Sequence, residues 1–197
     1  MQPLRTLTSV ALPWPAVNCD TDQIIPARYL QKPRADNFGH YLFADLRFNG
    51  NGNEIDTFLL NRPPFRHARI IVTGRNFGCG SSREHAVWAL YDYGFRAVVA
   101  PSLGDIFANN CLKNGLVPVL LPEPVVHDLL DRIARDPDLE LGIDLLAERI
   151  RLPDGTEHAF PIDPFAKECL VNGVDELGYT LSRADAITAF EQRHGMA

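Results

Sequence analysis

The residues best suited to chemistry lie in a glycine- and serine-rich segment, TGRNFGCGSSREHAVWAL, at positions 73–90. An apolar run that predicts a strand precedes the segment, and its second half predicts an amphipathic helix. Backbone N–H groups at the start of a helix attract an anion, and Arg83 adds a planar fork suited to a carboxylate. A serine hydroxyl in this positive field would have its alkoxide stabilised. The segment is therefore suited to a carboxylate substrate and to proton transfer.

The residues of this segment also allow other interpretations. Ser81 and Glu84 form an S-x-x-E pattern, a helix capping box that needs no ligand. A Walker loop fails because it needs a lysine where Ser81 stands, and G-x-G-x-x-G fails because the glycines fall at 74, 78 and 80. Cys79 with His85 as its base is a conceivable nucleophile, but this spacing imposes no required geometry. The residues alone leave capping and anion binding open.

Hydrophobic periodicity predicts the elements that position the segment. Between about 69 and 135, apolar runs of four to six residues alternate with helical patterns of ten to thirteen. This alternation indicates βαβ units and a mainly parallel sheet. The proline-rich part at about 13–64 predicts loops with short extended pieces. Short strands and two helices are expected at about 138–195, the last helix capped by Ser182 with Asp185. A single domain is expected over 1–197.

Composition excludes several classes of protein. The chain has 197 residues, of which 46% are hydrophobic and 22% charged, as in an ordinary globular domain, and its net charge of −6 argues against a general nucleic-acid binder. No run of about 18 apolar residues could span a membrane, and no targeting segment is visible. The cysteines lack the spacing of a zinc or iron–sulfur site, so free thiols in a reducing cytoplasm are expected. They are Cys19, Cys79, Cys111 and Cys169.

Four separated segments resemble the small, swivelling domain of the aconitase superfamily. GRNFGCGSSREHAVWAL is similar to its G-x-G-S-S-R-E-H turn, and NCDTDQIIPARYL to its Thr-Asp loop. SLGDIFANNCLKNGLVPV and LVNGVDELGYTL are similar to two further segments, so the resemblance covers nearly the whole chain. Within the superfamily, the similarity is greatest to the small subunits of bacterial isopropylmalate isomerases (3-isopropylmalate dehydratases). The implied fold is an α/β swivelling domain of the β/β/α type, with a mainly parallel central sheet, flanking helices and short extra strands.

The resemblance also implies a reaction and roles for particular residues. The reaction is a dehydration followed by a rehydration that converts 2-isopropylmalate into 3-isopropylmalate in leucine biosynthesis. Ser81 would take the proton, and Arg83, with Ser82 beside it, would hold a substrate carboxylate. Asp22, with Thr21 beside it, would enter the same site from the N-terminal loop.

Two neighbouring polar residues are expected to be structural. The Asp20–Asp22 stretch also fits an Asx-type turn that caps the segment after it. With the resemblance, the catalytic interpretation of Asp22 leads, and Asp20 is assigned to the cap. His85 is expected to tie the loop down by hydrogen bonds.

The resemblance implies a partner as well. In the family, a four-iron, four-sulfur cluster with one open iron acts as a Lewis acid on the departing hydroxyl. This chain has no ligand set for a cluster, so a large subunit carrying the 4Fe–4S cluster is expected, and the chain should be inactive alone. The alternatives are a small subunit that acts on homoaconitate, citraconate, methylmalate or a related diacid, and a non-catalytic module that binds a carboxylate or phosphate.

Substrate choice is expected to depend on the segment RYLQKP. By resemblance, Tyr29 and Leu30 would line the substrate pocket, and Leu30 offers an apolar surface to an isopropyl group. Arg34, a few residues further on, leaves a tricarboxylate substrate as an alternative. Because a buried arginine facing an isopropyl group would be left without a partner, Arg34 is expected to point away or to be solvated.

Overall fold

The computed structural model describes residues 1–34 and 37–195, whose strands form one seven-stranded sheet. Positions 35, 36, 196 and 197 of the predicted domain lie outside the described residues. Along the chain the strands are β1 (Thr6–Trp14), β2 (Ile70–Thr73), β3 (Ala97–Ala100), β4 (Val117–Leu120), β5 (Glu140–Asp144), β6 (Arg149–Arg151) and β7 (Glu157–Ala159). Their order across the sheet is β4-β3-β2-β1-β5-β6-β7. Strands β1 to β4 are mutually parallel, whereas β5, β6 and β7 add antiparallel pairings beyond β1.

The helices fall mainly between and after the parallel strands. They are α1 (Thr21–Ile24), α2 (Ala44–Arg47), α3 (Glu84–Tyr93), α4 (Asp105–Asn114), α5 (Glu123–Arg135), α6 (Pro164–Asn172), α7 (Glu176–Leu181) and α8 (Ala184–His194). Short 3-10 turns occupy 27–29, 38–41, 59–61 and 65–67 in the N-terminal third.

The parallel strands are buried because helices cover them. Every residue of β2 and β3 is buried, which is typical of a parallel sheet packed on both faces. Helix α5 packs across β1, β2 and β3, while α3 and α4 pack against each other. The buried residues of α5 recur at helical spacing and form its apolar face; they are Val126, Leu129, Leu130 and Ile133.

The predicted βαβ core and the α/β fold with extra strands are confirmed. The three strands and three helices predicted between about 69 and 135 all occur, in the predicted order. One central element was not predicted: β1 begins ahead of the proline-rich part at about 13–64 and ends just inside it. Pro13 stands in register with Val72 inside the parallel pair, although proline supplies no N–H to a ladder. Immediately beyond, the Trp14 carbonyl accepts a hydrogen bond from Gly74 N at 3.2 Å.

The predicted cap of the last helix is wrong. Helix α8 begins at Ala184, with Arg183 at the capping position and no side-chain cap. The Ser182 hydroxyl instead donates to the carbonyl of Tyr179 at 2.6 Å. Within the described residues, no helix has the length and apolar character needed to cross a membrane.

Candidate active site

Three loops meet where the parallel strands β1, β2 and β3 end. Gly78 N donates to the Cys19 carbonyl at 2.7 Å, and Thr21 N donates to the Cys79 carbonyl at 3.0 Å, which joins the loop after β1 to the loop after β2. Gly104 N donates to the Phe77 carbonyl at 2.9 Å and joins the loop after β3. Ligands of open α/β sheets bind at the carboxyl ends of parallel strands, so this junction is the natural position for a site.

Gly78, in the loop after β2, and Gly104, in the loop after β3, leave no room for a side chain. Gly78 adopts φ +72°, and a Cβ there would lie 2.2 Å from the ring carbon Cγ of Phe107. A Cβ at Gly104 would lie 2.6 Å from the carbonyl oxygen of Gly78. The glycines therefore let the loop after β2 lie directly against the first turn of α4.

The junction encloses an open cleft of about 280 Å³. Its lining consists of Thr21, residues 76 and 78–83 of the loop after β2, and residues 104–107 at the start of α4. The contribution of α4 was not foreseen from the sequence. The signal was present, because parallel strands β2 and β3 end at the same edge and their following loops must meet. The first turn of α4 has no side-chain cap, so its free backbone N–H groups line the cleft together with the carboxylate of Asp105.

Thr21 and Ser81 are linked across the cleft floor. Thr21 is buried, and its hydroxyl donates to the carbonyl of Ser81 at 3.0 Å. This bond fixes the backbone of Ser81, whereas Ser81 and Ser82 are themselves exposed and line the cleft. The structure thus brings Thr21 and both predicted serines together, with Thr21 supporting the loop that presents them.

Arg83 and Asp22 form an ion pair at the cleft. Nη1 of Arg83 donates to Oδ1 of Asp22, although the two residues are 61 positions apart in the chain. The Arg83 side chain is only 16% exposed, so its guanidinium is held in a largely fixed position. In the part of the chain that the structure describes, its Nε and Nη2 bond to no protein atom. These N–H groups can therefore donate to a carboxylate ligand while Asp22 holds the other side of the fork.

The capping-box alternative for Ser81 is wrong. Helix α3 begins at Glu84, and Arg83 occupies the capping position, so Ser81 lies before the helix and caps nothing. Glu84 instead accepts from Nδ2 of Asn114 at 2.8 Å, and Oδ1 of Asn114 accepts from Nε1 of Trp88 at 3.0 Å. Asn114 at the end of α4 thus anchors the first turn of α3, directly beside the cleft.

The structural role expected for Asp20 is confirmed, whereas His85 makes a different kind of contact from the one expected. Asp20 caps α1 by accepting from Gln23 N at 2.8 Å, so its structural assignment is confirmed. His85 was expected to tie the loop down by hydrogen bonds. Its ring instead packs against the rings of Trp88 and Phe38, with centroids 4.6 Å and 5.7 Å away.

Tyr29 and Leu30 lie apart from this cleft. Tyr29 stacks on Tyr41 with ring centroids 4.3 Å apart and lines a separate depression of about 650 Å³, while Leu30 packs against the core. Arg34 forms a two-pronged ion pair with Asp92, at 2.6 Å and 2.9 Å. Arg34 therefore has its own carboxylate partner and does not line the cleft, in agreement with the expectation that it points away.

Of the four cysteines, only Cys79 lines the cleft. Cys19 lies buried beneath the cleft, and burial raises the pKa of its thiol to about 12. Cys111 and Cys169 are buried elsewhere, and burial raises the pKa of each. No three Cys, His, Asp or Glu side chains converge into a metal-binding group anywhere in 1–34 or 37–195. The described residues therefore do not fit an iron–sulfur cluster.

Comparison with known proteins gives the family. The model of the aconitase C-terminal domain matches residues 1–124. A 3-isopropylmalate dehydratase small subunit from Parvibaculum lavamentivorans is 48% identical over 193 residues, which are 98% of this chain and 96% of that protein. The chain belongs to the 3-isopropylmalate dehydratase small-subunit family. The corresponding small subunit from Chloroflexus aurantiacus is 50% identical and covers the same shares of the two chains.

Further matches agree with membership in the small-subunit family. A second family model, described as LeuD_N, matches residues 127–164. The crystal structure of a 3-isopropylmalate dehydratase from Methanocaldococcus jannaschii superimposes with a TM-score of 0.66 at 25% identity, and the match covers 94% of this chain and 99% of that one. The resemblance stated from the four sequence segments is therefore confirmed.

Proposed function

We propose that this chain is the small subunit of a hydro-lyase that isomerises 2-isopropylmalate to 3-isopropylmalate in leucine biosynthesis. Membership in the small-subunit family supports the reaction. The observation that carries the proposal is the cleft, where exposed Ser81 and the fixed guanidinium of Arg83 lie beside two helix N-termini. A substrate bound there through a carboxylate would have its reacting carbon next to the hydroxyl of Ser81, in a positive field.

Each residue of the cleft has a role that follows from its contacts. Arg83 binds a substrate carboxylate through its free donors, and Ser82 adds a hydroxyl beside it. Asp22 positions the guanidinium through the ion pair, and Thr21 positions Ser81 through its hydrogen bond to the Ser81 carbonyl. Ser81 Oγ is then held where it can take a proton from the bound diacid.

The reaction moves a hydroxyl group between neighbouring carbons. A proton leaves one carbon to the alkoxide of Ser81, which becomes the hydroxyl, hydroxide leaves the next carbon, and a double bond forms between the two carbons. Rehydration adds hydroxide to the first carbon and a proton to the second, so the product is an isomer of the substrate. Ser81 gains the proton in the first half and is positioned to return one in the second.

We propose that the large subunit completes the site. In the aconitase superfamily, a 4Fe–4S cluster supplies Lewis-acid chemistry at the departing hydroxyl, and we assign that cluster to the large subunit. The names of the relatives, which are small subunits, support the existence of such a partner. A cytoplasmic location follows from the pathway and fits free cysteines.

We propose that Tyr29 and Leu30 contribute to substrate choice from outside the cleft. Their segment leads to the 3-10 turn at 38–41, which packs against α3. Tyr41 of that turn carries the stack with Tyr29. An apolar Leu30 suits an isopropyl group, and the pairing of Arg34 with Asp92 removes the nearby cation that a third carboxylate would need.

Reconstitution with the large subunit tests the proposal. The full chain is mixed with its purified, cluster-loaded cognate large subunit, and turnover of 2-isopropylmalate, citraconate and homoaconitate is measured. Activity only in the mixture, with the highest kcat/KM for 2-isopropylmalate, is expected. Preference for another diacid would reassign the substrate. Micromolar binding of a dicarboxylate by the isolated chain, with no turnover in the mixture, would identify a binding module instead.

A further inference from the structure

The last two helices expose an unusual amount of apolar surface. Leu177 and Leu181 are 67% and 64% exposed, and Ile187 and Phe190 are also exposed. Neither α7 nor α8 contains a buried residue. We refer to Leu177 and Leu181 of α7 as the C-terminal patch. Apolar clusters on a protein surface mark interaction sites more often than single exposed residues do.

The contacts of α7 orient the leucines of the patch away from α6. Tyr179 packs edge-on against Phe165 of α6, with ring centroids 4.8 Å apart, and Arg183 lies 4.5 Å from the Tyr179 ring. Residues four apart share one face of a helix, whereas residues two apart do not. Leu177 and Leu181 therefore share a face that is turned away from Tyr179 and from α6.

The C-terminal patch adjoins the cleft. A depression of about 310 Å³ separates the first turn of α7 from the start of α3, and Glu84 and Leu177 both line it. Lys113 of α4 and Glu176 of α7 form an ion pair of 3.9 Å beside it. Because Glu84 follows Arg83 directly, the surface runs from the cleft past the end of α4 to Leu177.

From this continuity we infer that the C-terminal patch docks on the large subunit. The inference rests on the proposed function, in which the large subunit must cover the cleft to complete the site. A cleft of about 280 Å³ offers far less area than a protein–protein interface. A stable interface takes about 800 Å² from each partner, so the large subunit must also cover surface around the cleft. Exposed Ile106 lines the cleft itself, and the C-terminal patch is the next exposed apolar surface toward the C-terminal helices.

The same interface would also stabilise helix α8. A helix of 11 residues with no buried side chain has little tertiary packing to hold it, and isolated helices of that length are marginal in water. Burial of Ile187 and Phe190 against the large subunit would stabilise the helix on assembly. We therefore expect slower amide exchange in α8 within the complex than in the isolated chain.

Affinity for the large subunit tests the docking surface. Leu177→Gln and Leu181→Gln remove apolar surface and keep the helix propensity of leucine. Leu146→Gln is the control, because Leu146 is 52% exposed and lies in the turn between β5 and β6. Each patch variant should bind the purified cognate large subunit about tenfold more weakly, since loss of one buried leucine side chain is enough for that change. The control should bind as the unchanged chain does.

The outcomes separate this inference from the proposed function. With the large subunit in saturating excess, the patch variants should recover the kcat of the unchanged enzyme, because their cleft is intact. Unchanged affinity of both patch variants, in a mixture that turns over normally, would overturn the docking inference alone. If, in addition, the patch variants changed the self-association of the isolated chain, the patch would be a contact between two copies of this chain, which would also overturn the docking inference. Failure of the unchanged chain to bind or activate the large subunit would overturn the proposed function.

Discussion

Gly104→Ala is expected to damage catalysis more than stability. The new Cβ would lie 2.6 Å from the carbonyl oxygen of Gly78, whereas ordinary contact begins at about 3.4 Å. The loop that carries Ser81 must therefore move by about 0.8 Å, the difference between those distances. Overpacking of this kind costs roughly 1–3 kcal/mol of stability. A misplacement of about 1 Å at a reacting group can lower the rate about a hundredfold. Because φ at Gly104 is −60°, alanine adds no backbone strain.

Two other glycines serve as controls for Gly104→Ala. A Cβ at Gly39 would lie 2.6 Å from the backbone nitrogen of Tyr93, at the end of α3 away from the cleft, and a Cβ at Gly50 would meet nothing within 4 Å. Thermal melting and kcat with saturating large subunit are measured for all three alanine variants. Gly104→Ala and Gly39→Ala should both lower the melting temperature, and Gly50→Ala should not. Only Gly104→Ala should lower kcat strongly. An equal kcat for Gly104→Ala and Gly39→Ala would refute the proposed link between loop position and catalysis.

The remaining predictions concern the anchor of α3, the substrate segment and the cysteines. Asn114→Asp removes the N–H donor to Glu84 and should lower kcat. Adding Glu84→Gln to this variant restores a donor across the same contact and should recover kcat. Equal kcat in the single and double variants would show that the hydrogen bond does not position the site. Leu30→Arg should depress kcat/KM for 2-isopropylmalate far more than for a tricarboxylate analogue, and an unchanged ratio would remove Leu30 from the specificity element. Iodoacetamide at pH 8 should label Cys79 and leave Cys19 unlabelled in the native chain, as read by mass spectrometry. Burial raises the pKa of Cys19 to about 12, so very little of its reactive thiolate is present at pH 8; rapid labelling of Cys19 would contradict this burial.

The parallel core was predictable because its strands and helices have different hydrophobic periods. Strand β2 is a run of four buried residues, and α5 repeats apolar residues at helical spacing, so each signal is local. Strand β1 was missed for a physical reason. Pro13 and Pro15 indicate a loop, and only the pairing of β1 with β2 and β5 makes that stretch a central strand.

The candidate site was predictable only in part. The turn at 78–83 could be recognised from its residues, and Thr21 could be assigned to the same place by resemblance. The ion pair between Asp22 and Arg83 joins residues far apart in the chain, so no periodicity reveals it. The start of α4 was missed because its residues are ordinary; its place in the cleft comes from the packing of Gly104 against the loop after β2.

The proton-accepting role of Ser81 is tested most directly by turnover of Ser81→Ala with saturating, cluster-loaded large subunit. Thr21 bonds to the backbone carbonyl of Ser81, not to its hydroxyl, so the loop should keep its position in this variant. Loss of a general base costs about a hundredfold to ten-thousandfold in rate. We predict a loss of at least that size in kcat for 2-isopropylmalate, with unchanged affinity for the large subunit and an unchanged melting temperature. A kcat near that of the unchanged enzyme would contradict the role of Ser81.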